Sequence, residues 1–315
     1  MRRMENKQLL LSICIPTNGK VEWVIPVIES IYSQGVDDSQ FEVVVTDNGE
    51  KNDLCEAVKR YSNYNFKYFK TTSSGFTNQI DAFEKCSGLF CKMLNHRSVM
   101  MPGSLEALLE LINKYKETKP IIYCAEGHAK GDEFVECSNT DDFVHSLGVW
   151  TSWSCGTGAW KKDLYNIRGK KIDMMFPHLV FLFGLREEID SKYIIWNRAY
   201  ERMLSEEGKG GYNLFNTFGV GFLDLINDLR IKGRITESTF LYVKKELFDF
   251  LRGLYVSEVL LPTKRSFIIK DISTSMAVYY GYYYYCKLVI GAWLRLPWAF
   301  CRYFFSKIYN SFNKE

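Results

Sequence analysis

With 315 residues, 47% of them hydrophobic and 24% charged, the chain has an ordinary globular composition, which excludes a disordered protein. Its 40 Lys and Arg against 37 Asp and Glu leave a formal net charge of +3. No Lys/Arg run supplies an electrostatic footprint, so nucleic acid is excluded as a partner. The nine Cys are scattered, odd in number and never spaced as C-x-x-C, a pattern of buried free thiols in a reducing compartment.

The N-terminus, MRRMENKQLLLSICIP, sets basic residues before an apolar run. That run is short, strand-like and without a small-residue cleavage site, so it reads as a strand and not as a secretion signal. LLLSICIPT closes on Pro16-Thr17-Asn18-Gly19 and leads into VEWVIPVIESIYSQG, whose apolar spacing and terminal Gly35 predict a helix. FEVVVTDNGE repeats the form, ending at Asp47-Asn48-Gly49 before a helix in NDLCEAVKRYS. FKYFKT is a third strand and GFTNQIDAFEKCSG a helix with a Gly stop. LFCKMLN is a fourth strand ending at Asn95-His96-Arg97, and Pro102 opens the amphipathic helix that follows. Such alternation predicts a parallel, doubly wound α/β sheet with helices on both faces. Ligands gather at the carboxyl ends of strands in these sheets, here Thr17-Asn18, Asp47-Asn48 and Asn95-His96-Arg97. A carboxylate at the end of the second strand suits hydrogen bonds from a ribose or base edge, although Asp-Asn-Gly is also a plain turn signal.

Past residue 185 the strand signals fade, and SKYIIWNRAYERML, FLDLINDLRIKG and FLYVKKELFDFLRGLYVSEVLL read as helices. Between the first two, Lys209 stands among Gly208, Gly210 and Gly211. Such a loop either closes over a phosphorylated ligand, bringing a cation, or is a surface turn. From residue 276 on, aromatic residues alternate with Lys287, Arg295 and Arg302, which fall within an arc of about 80° on a helix. Charges and Pro297 interrupt this run too often for it to span a bilayer. Its composition suits a helix lying on an anionic membrane, or one packed on its own domain.

The ordered set LSICIPTNGKVEWVIPVIESI, FEVVVTDNGE, GFTNQIDAF and GLFCKMLNHRSVMMPGSLEAL resembles the family-two inverting glycosyltransferases with the GT-A fold. It is most similar to the bacterial, abequosyltransferase-like branch that builds O-antigens and capsules. The resemblance covers residues 9–112 well and extends more weakly through WTSWSCGTGAWKKDLY and KIDMMFPHL. It implies a GT-A-like, Rossmann-type α/β fold, a mostly parallel sheet flanked by helices, with a helical C-terminal region. On this reading a transferase domain spans 1–185, its nucleotide-binding half 1–116 and its acceptor-side half 117–185. A helical region, 186–275, and a membrane-associating terminus, 276–315, follow. The implied function is transfer from a nucleotide-sugar donor to a polyprenyl-diphosphate-linked glycan, by a peripheral enzyme at the inner leaflet of the cytoplasmic membrane. Position by position, Pro16, Thr17 and Asn18 match the family's Pro-Thr-Tyr-Asn-type turn with one residue missing. Asp47 and Asn48 match its nucleotide-binding strand end, and Asn78 matches the Asn of its Gly-containing loop.

The departure is Asn95-His96-Arg97, where the family carries an Asp-x-Asp whose carboxylate binds a divalent metal. Mg2+ or Mn2+ prefers carboxylate and phosphate oxygens, so the replacement removes natural ligands. Arg97 instead offers a fixed charge and a planar fork for phosphate oxygens, beside the negative charge that develops on a leaving diphosphate. The favoured reading gives Arg97, aided by His96, the metal's electrostatic role. A softer site for Mn2+ on His96 and Asn95, loss of catalysis, and a solvent-facing Arg97 remain open. An inverting displacement also needs a base within reach of the acceptor hydroxyl. The resemblance implies Asp173 for it, with His178 of FPHL close by; Asp173 is equally a helix-capping residue and His178 a core histidine. Glu187, Glu188 and Asp190 are alternatives for the base that read more like a solvated helix face. Trp153, Cys155 and Gly156 line either the sugar or acceptor pocket or the core. Two rivals stand beside the enzyme: an inactive GT-A-like scaffold for other membrane glycosyltransferases, and a nucleotidyl transferase, for which PTNGKVEW is too poor a triphosphate loop.

Overall fold

The structure is a computed structural model that describes residues 9–186 and 191–312, with side chains to 301. The chain divides into two compact units, Met1–Ser205 and Glu206–Glu315. In the first, β1 (Leu11–Thr17), α1 (Val21–Tyr32), β2 (Phe41–Asp47), α2 (Asp53–Ala57), β3 (Phe66–Lys70), α3 (Asn78–Lys85) and β4 (Phe90–Met93) follow one another as the alternation predicts. With β8 (Gly158–Trp160) they build a five-stranded sheet in the order β3-β2-β1-β4-β8, parallel except for the antiparallel edge strand β8.

Helices cover both faces, so β1 and β2 are buried over nearly their whole length and their alternation sorts the apolar residues between two layers. Ile13, Ile15, Val43 and Val45 pack with Val24, Ile28, Leu105 and Leu108 of α1 and α4 (Ser104–Tyr115). Cys14 and Val44 pack on the other side with Ala82 and Phe83 of α3 and with Phe181. Full burial of one such side chain is worth about 1.5–3 kcal/mol, so a polar change in either strand would empty a layer of the core.

Pairing of β1 with β4 runs from Leu11↔Phe90 to Cys14↔Met93, whereas β1 stays with β2 as far as Thr17↔Asp47. Pro16 lies in this last stretch, where the missing N–H costs no bond to β4. The two neighbours of β1 thus part at its carboxyl end, the position where such sheets hold ligands. The fourth strand is shorter than LFCKMLN suggests. It ends at Met93, and Ser98–Met100 forms a further short strand, β5, before α4, whose N-cap Gly103 has φ 76°.

A second sheet of the same unit orders β6 (Ile121–Cys124), β7 (Phe134–Cys137) and β9 (Tyr193–Trp196) as β6-β9-β7, with α5 (Thr140–Leu147) following β7. SKYIIWNRAYERML is therefore not a helix: it forms β9 and β10 (Glu201–Met203), the latter antiparallel to β5. Tyr193 to Trp196 are all buried, and a strand buried on both faces loses the alternation that distinguishes it from a helix in sequence. A second correction concerns the cysteines. Cys86 and Cys91 are joined in a disulfide, because the chain turns back between α3 and β4, while Cys14, Cys124, Cys137 and Cys155 are buried free thiols as expected.

The unit Glu206–Glu315 holds β11 (Gly210–Asn213), α6 (Leu214–Asn216), α7 (Leu223–Ile231), α8 (Glu237–Tyr255), β12 (Ser266–Ile268), α9 (Ile272–Tyr279) and α10 (Tyr282–Phe312). The periodicity of FLDLINDLRIKG and FLYVKKELFDFLRGLYVSEVLL corresponds to α7 and α8, which bury Ile226, Val243, Leu247 and Leu251. No helix of the described residues is long and apolar enough to cross a membrane.

Candidate functional site

At the ends of β1 and β2 the backbone is tied by side chains. Asp47 is fully buried: its Oδ1 accepts from the Gly49 N–H (2.8 Å), and its Oδ2 accepts from Tyr68 Oη (2.7 Å) and Lys70 Nζ (3.2 Å). Gly19 has φ +81°, and a Cβ there would lie 2.8 Å from Asp47 Oδ1, so both conformation and space demand glycine. Asn18 is exposed and Pro16 half-buried. Asn48 donates through Nδ2 to Ser73 O (2.9 Å) and Gly75 O (3.0 Å), closing the loop ahead of α3. Asn78, buried at the start of α3, donates to Thr17 O (3.1 Å) and Thr46 O (2.8 Å) and accepts from Thr71 Oγ1 (2.9 Å). This one carboxamide thereby holds β1, β2 and the segment after β3 together at the strand ends.

The Asn95-His96-Arg97 tip folds onto the same turn. Asn95 Oδ1 accepts from the Arg97 N–H (2.9 Å), a local turn that fixes the loop. His96 Nδ1 lies 2.8 Å from Thr17 Oγ1, and Arg97 Nε donates to His96 Nε2 at 3.4 Å. A ring whose Nε2 accepts carries its proton on Nδ1, so His96 donates to Thr17. Burial, then the charges of Arg97 and Lys20, bring the His96 pKa down to about 3, leaving a neutral ring at physiological pH. Arg97 is buried, its guanidinium carbon 3.4 Å from the centre of the Trp23 ring, with Lys20 Nζ 4.1 Å from the same ring.

Behind this tip lies a buried ionic group that no sequence motif announced. Lys92 is 1% exposed and donates to Met93 O (2.7 Å), Tyr200 Oη (2.9 Å) and Cys155 O. Glu201 faces Lys92, Glu126, Ser98 and the Asn95 backbone, and burial pushes its pKa up to about 7, Glu126 adding and Lys92 opposing. A lysine inside the apolar run FCKM was the signal for this group.

Further along the chain, Asp173 is half-buried and its Oδ1 accepts from the N–H groups of Met175 and Phe176, both at 2.8 Å, the geometry of a turn cap. His178 is buried, burial lowering its pKa to about 4 with Asp173 acting the other way. Trp153 is half-buried, its carbonyl accepting from Tyr123 Oη (2.9 Å) and its ring edge-on to His128, which stacks on Trp150 at 3.7 Å. Gly156 is packed so closely that a Cβ would lie 2.3 Å from the Tyr123 ring. Lys209 belongs to the second unit, where its Nζ lies 3.7 Å from Glu206 and its carbonyl accepts from Ser266. Hydrogen bonds thus join Thr17, Asn78, His96 and Arg97 in one group; Asp173 acts on His178 through its charge, with no hydrogen bond between them. Glu187, Glu188 and Asp190 lie outside the described residues.

The donor set at the tip does not fit a hard divalent cation. Its groups are a carboxamide engaged by Arg97, an imidazole engaged at both nitrogens and a guanidinium. Among the described residues no three His, Cys, Asp or Glu side chains converge as a metal site.

Residues 12–179, more than half of the chain, match glycosyl transferase family 2. Among solved structures, residues 1–349 of S. aureus TarS are similar at 14% identity, covering 79% of this chain and 75% of that one with a TM-score of 0.56. The same part of TarS in complex with UDP-GlcNAc gives 16% identity, 79% and 76% coverage and 0.56. The mannosyltransferase PcManGT from Pyrobaculum calidifontis, in complex with GDP-Man and Mn2+, gives 13% identity, 93% and 88% coverage and a TM-score of 0.48. No curated protein sequence matches the chain.

Proposed function

This glycosyltransferase belongs to glycosyl transferase family 2 and has the GT-A fold, and we propose that it moves a sugar from a nucleotide-sugar donor to a lipid-linked glycan of a bacterial surface polysaccharide. The class is O-antigen or capsule synthesis of the abequosyltransferase-like kind. Residues 1–116 hold the nucleotide, 117–185 the acceptor, and the terminus from 276 meets the membrane. The turn Pro16-Thr17-Asn18 with Asp47, Asn48 and Asn78 shapes the nucleotide seat, and Arg97 faces the diphosphate. The observation that carries this reading is a buried guanidinium at the tip of β4, where the family's metal-binding carboxylates would stand.

In the proposed reaction the acceptor hydroxyl attacks the anomeric carbon from the side opposite the diphosphate. The new C–O bond forms as the sugar–phosphate C–O bond breaks, inverting the centre, and the nucleoside diphosphate leaves against Arg97. The hydroxyl proton passes to Asp173 Oδ2, since Oδ1 already takes two N–H groups. Trp153, Gly156 and His178 border the acceptor. In the second unit, Trp293, Leu294, Trp298 and Phe300 of α10 are exposed together, and Lys287 lies over the rings of Tyr283 and Tyr284. That combination supports residence on an anionic inner leaflet, where a polyprenyl-linked acceptor is concentrated.

Support for a nucleotide-sugar donor comes from TarS, crystallised with UDP and with UDP-GlcNAc. The second reading, an inactive scaffold, draws on Asp47 and His96, whose polar atoms are already engaged by the chain itself. Calorimetric titration with UDP, CDP, GDP and dTDP, each with manganese and with EDTA, separates the two. Binding of one nucleotide that survives EDTA supports the enzyme with Arg97 in the metal's place. Binding only with manganese returns a metal to the site, and no binding leaves the scaffold.

A further inference from the structure

Trp23 stands in the first turn of α1, three residues after Lys20, and receives two cations on one ring. Arg97 Cζ is 3.4 Å from the ring centre and Lys20 Nζ 4.1 Å, while the His96 ring meets it edge-on at 5.3 Å. A separation of about 3.4 Å is the contact distance of two flat groups laid face to face. A guanidinium held by its face directs its N–H donors along its own plane, the plane in which phosphate oxygens are recognised. His96 takes one of them, Nε, as a neutral acceptor and so adds no third charge. Among the described residues Lys20 has no carboxylate ion-pair partner. Two like charges repel, and the negative face of an indole is one of the few neutral surfaces that attracts both.

Lys20 follows the turn at the end of β1, and Arg97 follows β4, the parallel neighbour of β1. One ring therefore ties the cations of two strand tips together. We propose that Trp23 is a positioning residue that holds Arg97 and Lys20 as a paired cation seat for a diphosphate. The assignment rests on Arg97 facing the donor diphosphate, and it adds two residues that no motif of the chain singles out.

The test is a mutant cycle on the full chain, read by calorimetry in EDTA with whichever of UDP, CDP, GDP or dTDP the unaltered protein binds, and with inorganic pyrophosphate. Trp23→Leu keeps apolar bulk without a π face, and Trp23→Phe keeps a π face. We expect Trp23→Leu to weaken nucleotide binding by about tenfold or more and Trp23→Phe by no more than about threefold. Arg97→Ala and Lys20→Ala should each weaken it, and Trp23→Leu should cost nothing further once both cations are replaced by Ala. Lys20→Ala should flatten the dependence of affinity on salt, and pyrophosphate should follow the same order as the nucleotide. If Trp23→Leu still weakens binding when Lys20 and Arg97 are both Ala, Trp23 acts on the ligand by itself and the seat is overturned. It is overturned equally if Trp23→Leu binds as tightly as the unaltered protein. Unchanged binding by Arg97→Ala would instead refute Arg97 as the diphosphate's partner, and absence of binding by the unaltered protein would refute both.

Discussion

Replacing Glu201 by Gln probes the buried charge that backs the tip of β4. Burial raises the Glu201 pKa from its ordinary 4.5 to about 7, in spite of Lys92. A difference of that size corresponds to about 3 kcal/mol between the two protonation states. Because the folded pKa lies above the unfolded one, the contribution is fully present below about pH 4.5 and is lost as pH rises through about 7. Gln mimics the protonated carboxyl, so Glu201→Gln should match the unaltered chain near pH 4.5 and exceed it by about 3 kcal/mol at pH 8, a rise of roughly 6–12 °C in the melting temperature of a unit this size. Lys92→Met should do the reverse, costing about 3–5 kcal/mol, because it strips three acceptors of their donor and leaves Glu201 without its cation. Urea unfolding at the two pH values, followed by fluorescence, reports on this unit, since five of the seven tryptophans lie within it. A Glu201→Gln variant that is less stable at pH 8, or whose effect is the same at both pH values, refutes the assignment of a raised pKa.

Asp173→Asn should lower turnover by about 10²–10⁴-fold while nucleotide binding is retained; normal turnover measured with a defined acceptor would reassign the base. With the His96 pKa brought down to about 3, its ring signals in an NMR pH series should not titrate between pH 5.5 and 8, and an inflection near 6.5 in those signals would show the ring to be exposed. Trp293→Ser combined with Trp298→Ser should release the chain from anionic vesicles in a flotation assay without unfolding it, because both side chains are exposed. Deleting the whole terminus is the poorer experiment, since Leu288 and Ala292 are buried.

The β-α alternation up to α4 was legible because strands and helices there have distinct periods and because Gly and Asx turns punctuate them. Pro16, Thr17 and Asn18, the Asp47-Asn48 pair and the Asn95-His96-Arg97 tip were each located at strand ends by the same signals. The segment from Tyr193 to Met203 was not legible, since burial on both faces erases the strand period. Nor was the Cys86–Cys91 disulfide, because a spacing of five says nothing until the turn between α3 and β4 brings the two together.

By itself the sequence determined the order of elements and which residues stand at the strand ends, because hydrophobic period and turn chemistry are local properties of the chain. Only the tertiary structure decided what those residues touch. Lys92 meets Tyr200 across 108 positions of sequence, Asn78 meets Thr17 across 61, and Arg97 reaches Trp23 because β1 and β4 lie side by side. Such contacts depend on strand order, which is set by the packing of the whole sheet and leaves no mark on the residues between.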